Sequence, residues 1–363
     1  DPAGTCTRPM KESTVRHSMF KAAALTSVAA LTLAACGGSD SDSDATSGSG
    51  GDGAGSDVKF CLAYDVGGRG DQSFNDSAAK GLDKAKSELG IESAEAEASQ
   101  EENDAAREDR LNALVDGGCT DIVGVGFIYA TAVGNAAKAN PDVNFGVVDD
   151  ASPASEGDNI AQLVFAEEEG SFLVGAAAAL KSQSGKVGFV GGMDTPLINK
   201  FEKGFEAGVK EVNPDATVEV KYLADNGSGF ADPAKGKTAA EGMYDQGVDV
   251  VYHAAGGSGA GVFQAAKAAK KLAIGVDSDQ ALTAEEGVRD VILTSMVKNV
   301  DVAIYDMAKA SVDGKPLSGV QSFDLKSGGV DYATTGGKVD DIKTKLDEYK
   351  QQIIDGKITV PSS

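Results

Sequence analysis

The chain has 363 residues and a formal net charge of −23, and so acidic a balance repels nucleic-acid phosphates and argues against a nucleic-acid partner. Hydrophobic residues make up 41%, enough for packed cores. The body beyond residue 57, about 300 residues, is long enough for two lobes rather than a single core.

Residues 1–9 carry no pattern. From Met10, the basic residues Lys11, Arg16 and Lys21 lead into an apolar run over 22–35. That run is too short for a transmembrane helix and has the length of a signal peptide. It closes on Leu33-Ala34-Ala35-Cys36-Gly37, which resembles the bacterial lipobox, where the cysteine is acylated and becomes the mature N-terminus. More than one acyl chain at Cys36 would anchor firmly. Residues 37–56 are only Gly, Ser, Asp, Ala and Thr; unable to bury apolar surface, they read as a flexible acidic tether. Residues 1–35 are thus expected to be upstream residues and a lipoprotein signal peptide, and 36–56 the acylated cysteine and its stalk.

From residue 58 the chain alternates strand and helix. Residues 58–63 form an apolar run of strand length, and Ala78, Ala79, Leu82, Ala85 and Leu89 then recur at helical spacing. Further strands are expected at 121–126, 143–148, 160–165, 186–190, 217–222, 248–252, 273–276 and 291–296. Helices are expected up to residue 117 and over 131–139, 167–180, 200–212, 233–245, 262–271, 300–311 and 342–355. Such alternation predicts an α/β fold of two doubly wound, parallel-sheet lobes. Cys61 and Cys119 stand near the starts of two of these strands. Outside the cytoplasm an even pair favours a disulfide; two buried thiols are the alternative. No C-x-x-C occurs, so neither redox catalysis nor a zinc site is predicted.

The stretch that organises the rest runs from Tyr64 to Gly81, Tyr-Asp-Val-Gly-Gly-Arg-Gly-Asp-Gln-Ser-Phe-Asn-Asp-Ser-Ala-Ala-Lys-Gly. Its glycines free the backbone just past a strand, and Asn75 or Asp76 is placed to cap the next helix. In open α/β sheets ligands sit beyond the carboxyl ends of strands. Phe74 offers a flat apolar face there, and Asp65, Asp71, Ser73 and Asn75 offer polar edges. A second glycine loop, 256–261, precedes a helix, and Asp277 ends the following strand, imitating a dinucleotide site; but G-x-G-x-x-G needs a glycine where Val262 stands. An aspartate so placed is a natural acceptor for vicinal sugar hydroxyls, with capping or solvation the plainer role. His253 is the one histidine of the body. No nucleophile–base motif accompanies it, so it reads as structural or ligand-lining, and no catalytic residue, cofactor or metal is predicted.

The pattern D-x-G-G-x-x-D-x-S-F-N-D-x-A-x-x-G at 65–81 resembles the first ligand loop of the basic membrane protein family, nucleoside-binding lipoproteins of bacterial ABC importers. Gly124-Val125-Gly126-Phe127, Asn144-Phe145-Gly146-Val147-Val148-Asp149, Gly188 to Pro196, Phe201-Glu202-Lys203-Gly204-Phe205, Phe230 to Gly236 and Ala254 to Val262 look like further landmarks in order. The resemblance implies a type I periplasmic-binding-protein fold, two lobes joined by a hinge. Lobe 1 would span 57–165, completed by about 297–325, and lobe 2 would span 166–296, possibly completed by about 326–363. It implies a purine nucleoside between the lobes, Phe74 and Phe230 stacking on its base, with Phe201 the fallback for Phe230. Asp65, Asn75 and Asp149 would bond base edge or sugar, Gly256 and Gly257 would give backbone contacts, and Asp277 with Lys298 would hold the ribose hydroxyls. It further implies a lipid-anchored monomer outside the cytoplasm, delivering ligand to an ABC permease and its ATPase. A receptor for riboflavin or a sugar, and an extracellular nucleoside hydrolase on a similar framework, are the alternatives.

Overall fold

The computed structural model describes residues 57–99 and 102–363. The expected signal peptide, the expected acylation at Cys36 and the expected tether lie outside the described residues. Among the described residues no helix is long and apolar enough to cross a membrane.

The first half of the chain runs β1 (Lys59–Ala63), α1 (Phe74–Leu89), β2 (Glu92–Ala96), α2 (Asp104–Asp116), β3 (Asp121–Gly124), α3 (Ala130–Ala139), β4 (Asn144–Val148) and β5 (Ile160–Phe165). It continues with α4 (Glu167–Lys181), β6 (Lys186–Met193), α5 (Pro196–Val212), β7 (Thr217–Ala224), α6 (Pro233–Asp245), β8 (Val250–Ala254), α7 (Gly259–Ala269), β9 (Leu272–Asp277), α8 (Gln280–Thr283) and β10 (Ile292–Lys298). It ends with α9 (Val300–Val312), β11 (Gly319–Phe323), β12 (Val330–Tyr332) and α10 (Lys343–Ile354).

Two six-stranded sheets result, ordered β11-β5-β4-β3-β1-β2 and β12-β10-β9-β8-β6-β7. Their central strands are apolar runs buried along their length, as helices on both faces of a parallel sheet require. The paired strands are parallel except β12, which runs antiparallel to β10. Both sheets follow the doubly wound order in which the chain starts inside the sheet and winds outward in both directions.

Strands β2, β11 and β12 were not expected from the sequence. β2 reads Glu-Ser-Ala-Glu-Ala, half-exposed beside β1, so backbone pairing rather than apolar periodicity makes it a strand. The other two are added by long-range pairing, β11 to β5 and β12 to β10. The chain therefore crosses between sheets three times. The crossings are tied together: Ala166 N–H donates to Phe323 O at 2.9 Å, Asn299 N–H to Gly329 O at 2.8 Å, and Leu325 N–H to Glu169 Oε2 at 2.9 Å. Phe165 and Phe323 stack with ring centres 5.1 Å apart.

In the first sheet Cys61 and Cys119 are joined as a disulfide, S–S 2.07 Å, across 58 residues. Both are buried among Leu111, Ile122 and Phe145.

Candidate functional site

A crevice opens where the carboxyl ends of both sheets face each other, with about 540 Å³ between its walls including the part open to solvent. The first sheet contributes Asp65 from the β1–α1 loop, Phe74 and Asn75 from the start of α1, Phe127 after β3 and Asp149 after β4. From the second come Phe201 on α5, Phe230 after β7, Gly256 after β8, Asp277 and Lys298.

The β1–α1 loop is built around one carboxylate. Asp71 accepts the backbone N–H groups of Ser73 (2.9 Å), Asn75 (2.9 Å) and Asp76 (3.1 Å), satisfying the donors that a helix start leaves open. This corrects the expected cap. The N-cap residue is Ser73 without a side-chain bond to the helix, and neither Asn75 nor Asp76 fills that role. Asp76 instead accepts from Gly70 N–H at 2.7 Å and Gln72 N–H at 3.0 Å. Asn75 is freed to bridge loop and strand: its Nδ2 donates to Asp65 Oδ1 at 2.7 Å and Asp71 Oδ2 at 3.0 Å. Tyr129 braces the neighbouring loop, donating to Tyr64 O at 2.8 Å.

Asp149 and Asp277 each follow or end a strand in the left-handed region, with φ of 69° and 62°. Outside glycine that conformation is uncommon, and aspartate is among the residues that tolerate it best. Lys298 is 1% exposed, and its Nζ lies 2.5 Å from Asp149 Oδ1 and 3.0 Å from Glu167 Oε1. The same ammonium stands 5.3 Å from the Phe74 ring centre and 5.4 Å from that of Phe201, within cation–π range. Asp277 accepts from Ser73 Oγ of the opposite lobe at 2.6 Å. Gly192 lets the Phe230 ring lie against β6, because a Cβ there would sit 2.4 Å from the ring.

The family model for Bmp, described as "ABC transporter substrate-binding protein PnrA-like", matches residues 60–363. The chain belongs to this family. It is 37% identical over 322 residues to "ABC transporter nucleoside-binding protein BmpA" of Lactococcus lactis subsp. cremoris, covering 85% of this chain and 90% of that one. It is 32% identical to "Basic membrane protein A" of Borreliella burgdorferi over 303 residues, 81% of this chain and 85% of that one. A solved ABC transporter system solute-binding protein from Aeropyrum pernix K1 superposes with a TM-score of 0.73 at 31% identity, covering 84% and 94% of the two chains. The protein is thus an ABC transporter substrate-binding protein with the periplasmic-binding-protein type of fold.

Of the residues expected to bind ligand in this Bmp-family protein, Gly257 does not line the main crevice; it lies on a flanking surface beside Gly70 and Asp71. Asp277 and Lys298, expected to hold a ribose, both line the crevice, with the ammonium ion-paired to Asp149 and Glu167. Phe201 and Phe230 both reach the crevice, so the choice between them dissolves. Asp71 and Phe127 were on the page in the motifs 65–81 and 124–127, but nothing in a spacing says that one carboxylate organises a loop.

The charge balance of the Bmp site is lopsided, four aspartates against Lys298. Burial pushes Asp65 well above the usual carboxylate range, with Asp71, Asp149 and Asp277 adding to the effect and the Asn75 bond opposing it. Burial raises Asp277 to about 7, against the pull of Lys298 and Ser73. Asp149 is raised by burial to about 6, with Lys298 holding it back. Burial works against the charge of Lys298, but Asp149, Glu167 and Asp277 outweigh it and move its pKa upward. Fully buried His253, lowered by burial to about 4, stays neutral and is not among the crevice residues. Among the described residues no group of three or more His, Cys, Asp or Glu could hold a metal ion.

Proposed function

We propose that this protein captures a purine nucleoside between its lobes and delivers it to an ABC permease driven by an ATPase. The observation that carries the reading is a slot lined by aromatic rings (Phe74, Phe127, Phe201, Phe230) whose polar rim is mostly carboxylate oxygen. Aromatic faces suit a flat base, each stacking contact contributing about 1–3 kcal/mol. Carboxylates accept hydrogen bonds and repel anions, so the rim favours a neutral ligand rich in O–H and N–H over a phosphorylated one. The nucleoside-binding name of the Lactococcus relative supports the same ligand class.

In this reading Phe74 and Phe230 sandwich the base, and Asp65, Asn75 and Asp149 bond its edge or the sugar. Gly256 presents backbone, while Asp277 and Lys298 hold the ribose. Ligand contacts on both lobes shift an open ensemble to a closed one about the three crossings. The protein acts as a monomer and not as an enzyme, held to the outer side of the membrane by lipid on Cys36.

Calorimetry with inosine, guanosine and adenosine, beside uridine, ribose and riboflavin, tests the ligand class. Purine nucleosides should bind and be recovered intact. Binding of riboflavin or ribose alone would overturn the reading, and release of free base would replace it with a hydrolase. Mass spectrometry of the acylated N-terminal peptide tests the anchor; an unmodified Cys36 in membrane-derived protein would remove it.

A further inference from the structure

We infer that Gln280 is a positioning residue for ligand capture: it holds the loop carrying Phe74 against the second lobe and so sets how long a bound molecule stays. Gln280 begins α8, is 2% exposed and does not line the crevice. Its side chain has one possible orientation. Val276 N–H donates to Gln280 Oε1 at 2.9 Å, which fixes that end as the carbonyl, and the Nε2 end then donates to Gln72 O of the opposite lobe at 3.0 Å.

His253 completes the orientation. Its Nε2 lies 3.1 Å from the same Oε1, and an acceptor there requires the imidazole to donate. The ring is closely walled, since a Cβ on Gly259 would sit 1.9 Å from it. Ser295 Oγ accepts Gln280 N–H at 3.1 Å, tying the residue's backbone to β10. Every bond except the one to Gln72 stays within the second lobe.

The receiving side is equally prepared. Gln72 holds φ of 55°, a left-handed conformation that a residue with a side chain adopts at a cost. Its N–H is bound by Asp76 Oδ2 at 3.0 Å, and its carbonyl also accepts from Thr283 Oγ1 at 3.3 Å. The next residue adds Ser278 Oγ to Ser73 O at 3.0 Å. Phe74 follows immediately, so the lobe–lobe seam and the aromatic wall of the crevice are one continuous segment. These bonds exist only while the lobes are together, so losing them speeds ligand exit and leaves entry unchanged.

The test separates orientation from folding. Gln280→Glu keeps the acceptor for Val276 N–H and His253 but removes the donor to Gln72. Thr283→Val, at an exposed position, removes the weaker bond. With inosine as probe, Gln280→Glu should dissociate roughly tenfold faster and Thr283→Val roughly threefold faster, with association rates within about twofold of the parent. Unchanged dissociation in Gln280→Glu, or a loss carried by association, would overturn the inference. The kinetic test with inosine rests on the nucleoside reading. If no purine nucleoside binds the parent protein, that reading falls alone, and the same comparison of dissociation rates is made with riboflavin or ribose, whichever binds the parent. Faster release from Gln280→Glu then upholds the inference, and equal release overturns it.

Discussion

Asp149 and Asp277 occupy matching places in the two lobes. Each stands at the end of the strand two places from its lobe's first strand, β4 in one sheet and β9 in the other, and each turns back in left-handed conformation. Their surroundings differ. Asp149 faces the ammonium of Lys298, whereas Asp277 faces the hydroxyl of Ser73 from the opposite lobe. One backbone device, used twice, therefore yields a carboxylate in contact with Lys298 and pushed to about 6, and one that accepts from a hydroxyl, feels Lys298 only from beyond contact and is pushed to about 7. Repeating a fold repeats where side chains emerge; what they do is set by what the other lobe brings to them.

The hardest way to break the comparison is to remove the cation on one side. Lys298→Met leaves Asp149 and Glu167 buried without it and should cost about 3–5 kcal/mol in urea unfolding at pH 8. Asp277→Asn breaks no contact ion pair and should cost nothing, or stabilise slightly. Similar losses from both would show that the two aspartates are not differently held.

The lobes also differ in covalent support, since Cys61 and Cys119 bridge the first sheet. Replacing both with alanine should cost about 2–4 kcal/mol and move part of the circular-dichroism melt to lower temperature. An unshifted melt would mean that the packing around Leu111 and Phe145 suffices.

A finer test uses the glycines after β3 and β8. Gly126 has φ of 112° and a Cβ there would lie 3.0 Å from Asp65 Oδ2, whereas Gly256 has φ of 51°, within the left-handed well. Gly126→Ala should cost about 2–3 kcal/mol and Gly256→Ala about 1 kcal/mol by thermal unfolding. The reverse order would contradict the loop geometry.

The smallest expected effect is in pH. Because the folded pKa of Asp277 is raised to about 7, the folded chain holds a proton that the unfolded chain has released, and stability falls as pH rises through that value. Between pH 6.5 and 8, above the range where neutral His253 takes a proton, ligand-free protein should lose just under about 1 kcal/mol. Asp277→Asn should reduce that slope, with the other raised carboxylates, Asp65 and Asp149, carrying what remains. Affinity for a hydrogen-bond-donating ligand should move the opposite way, weakening on acidification as Asp277 and then Asp149 are protonated. A flat parent profile in both measurements would remove Asp277 as a titrating group.

Much of this was legible in the residues. The apolar strands at 121–126 and 160–165 announce themselves because burial on both sheet faces demands unbroken hydrophobic runs. The motif at 65–81 pointed to a segment that lines the crevice, because glycine, aspartate and an aromatic stand there just past the carboxyl end of a strand. β2, β11 and β12 stayed hidden because strands with little apolar content are specified by the neighbour they pair with. The role of Asp71 was hidden for a related reason: its bonds go to backbone N–H groups, which every residue owns.

Composition and periodicity by themselves determined the class of fold, the two-lobe division and which strand ends would carry polar groups, since each depends on local propensity and on burying apolar surface. Only the tertiary structure decided that Lys298 answers Asp149 and Glu167 instead of Asp277, that Ser73 reaches across to Asp277, and that Gln280 binds the carbonyl of Gln72. Those pairings join residues more than a hundred positions apart, and their geometry depends on how two independently wound sheets come to face each other.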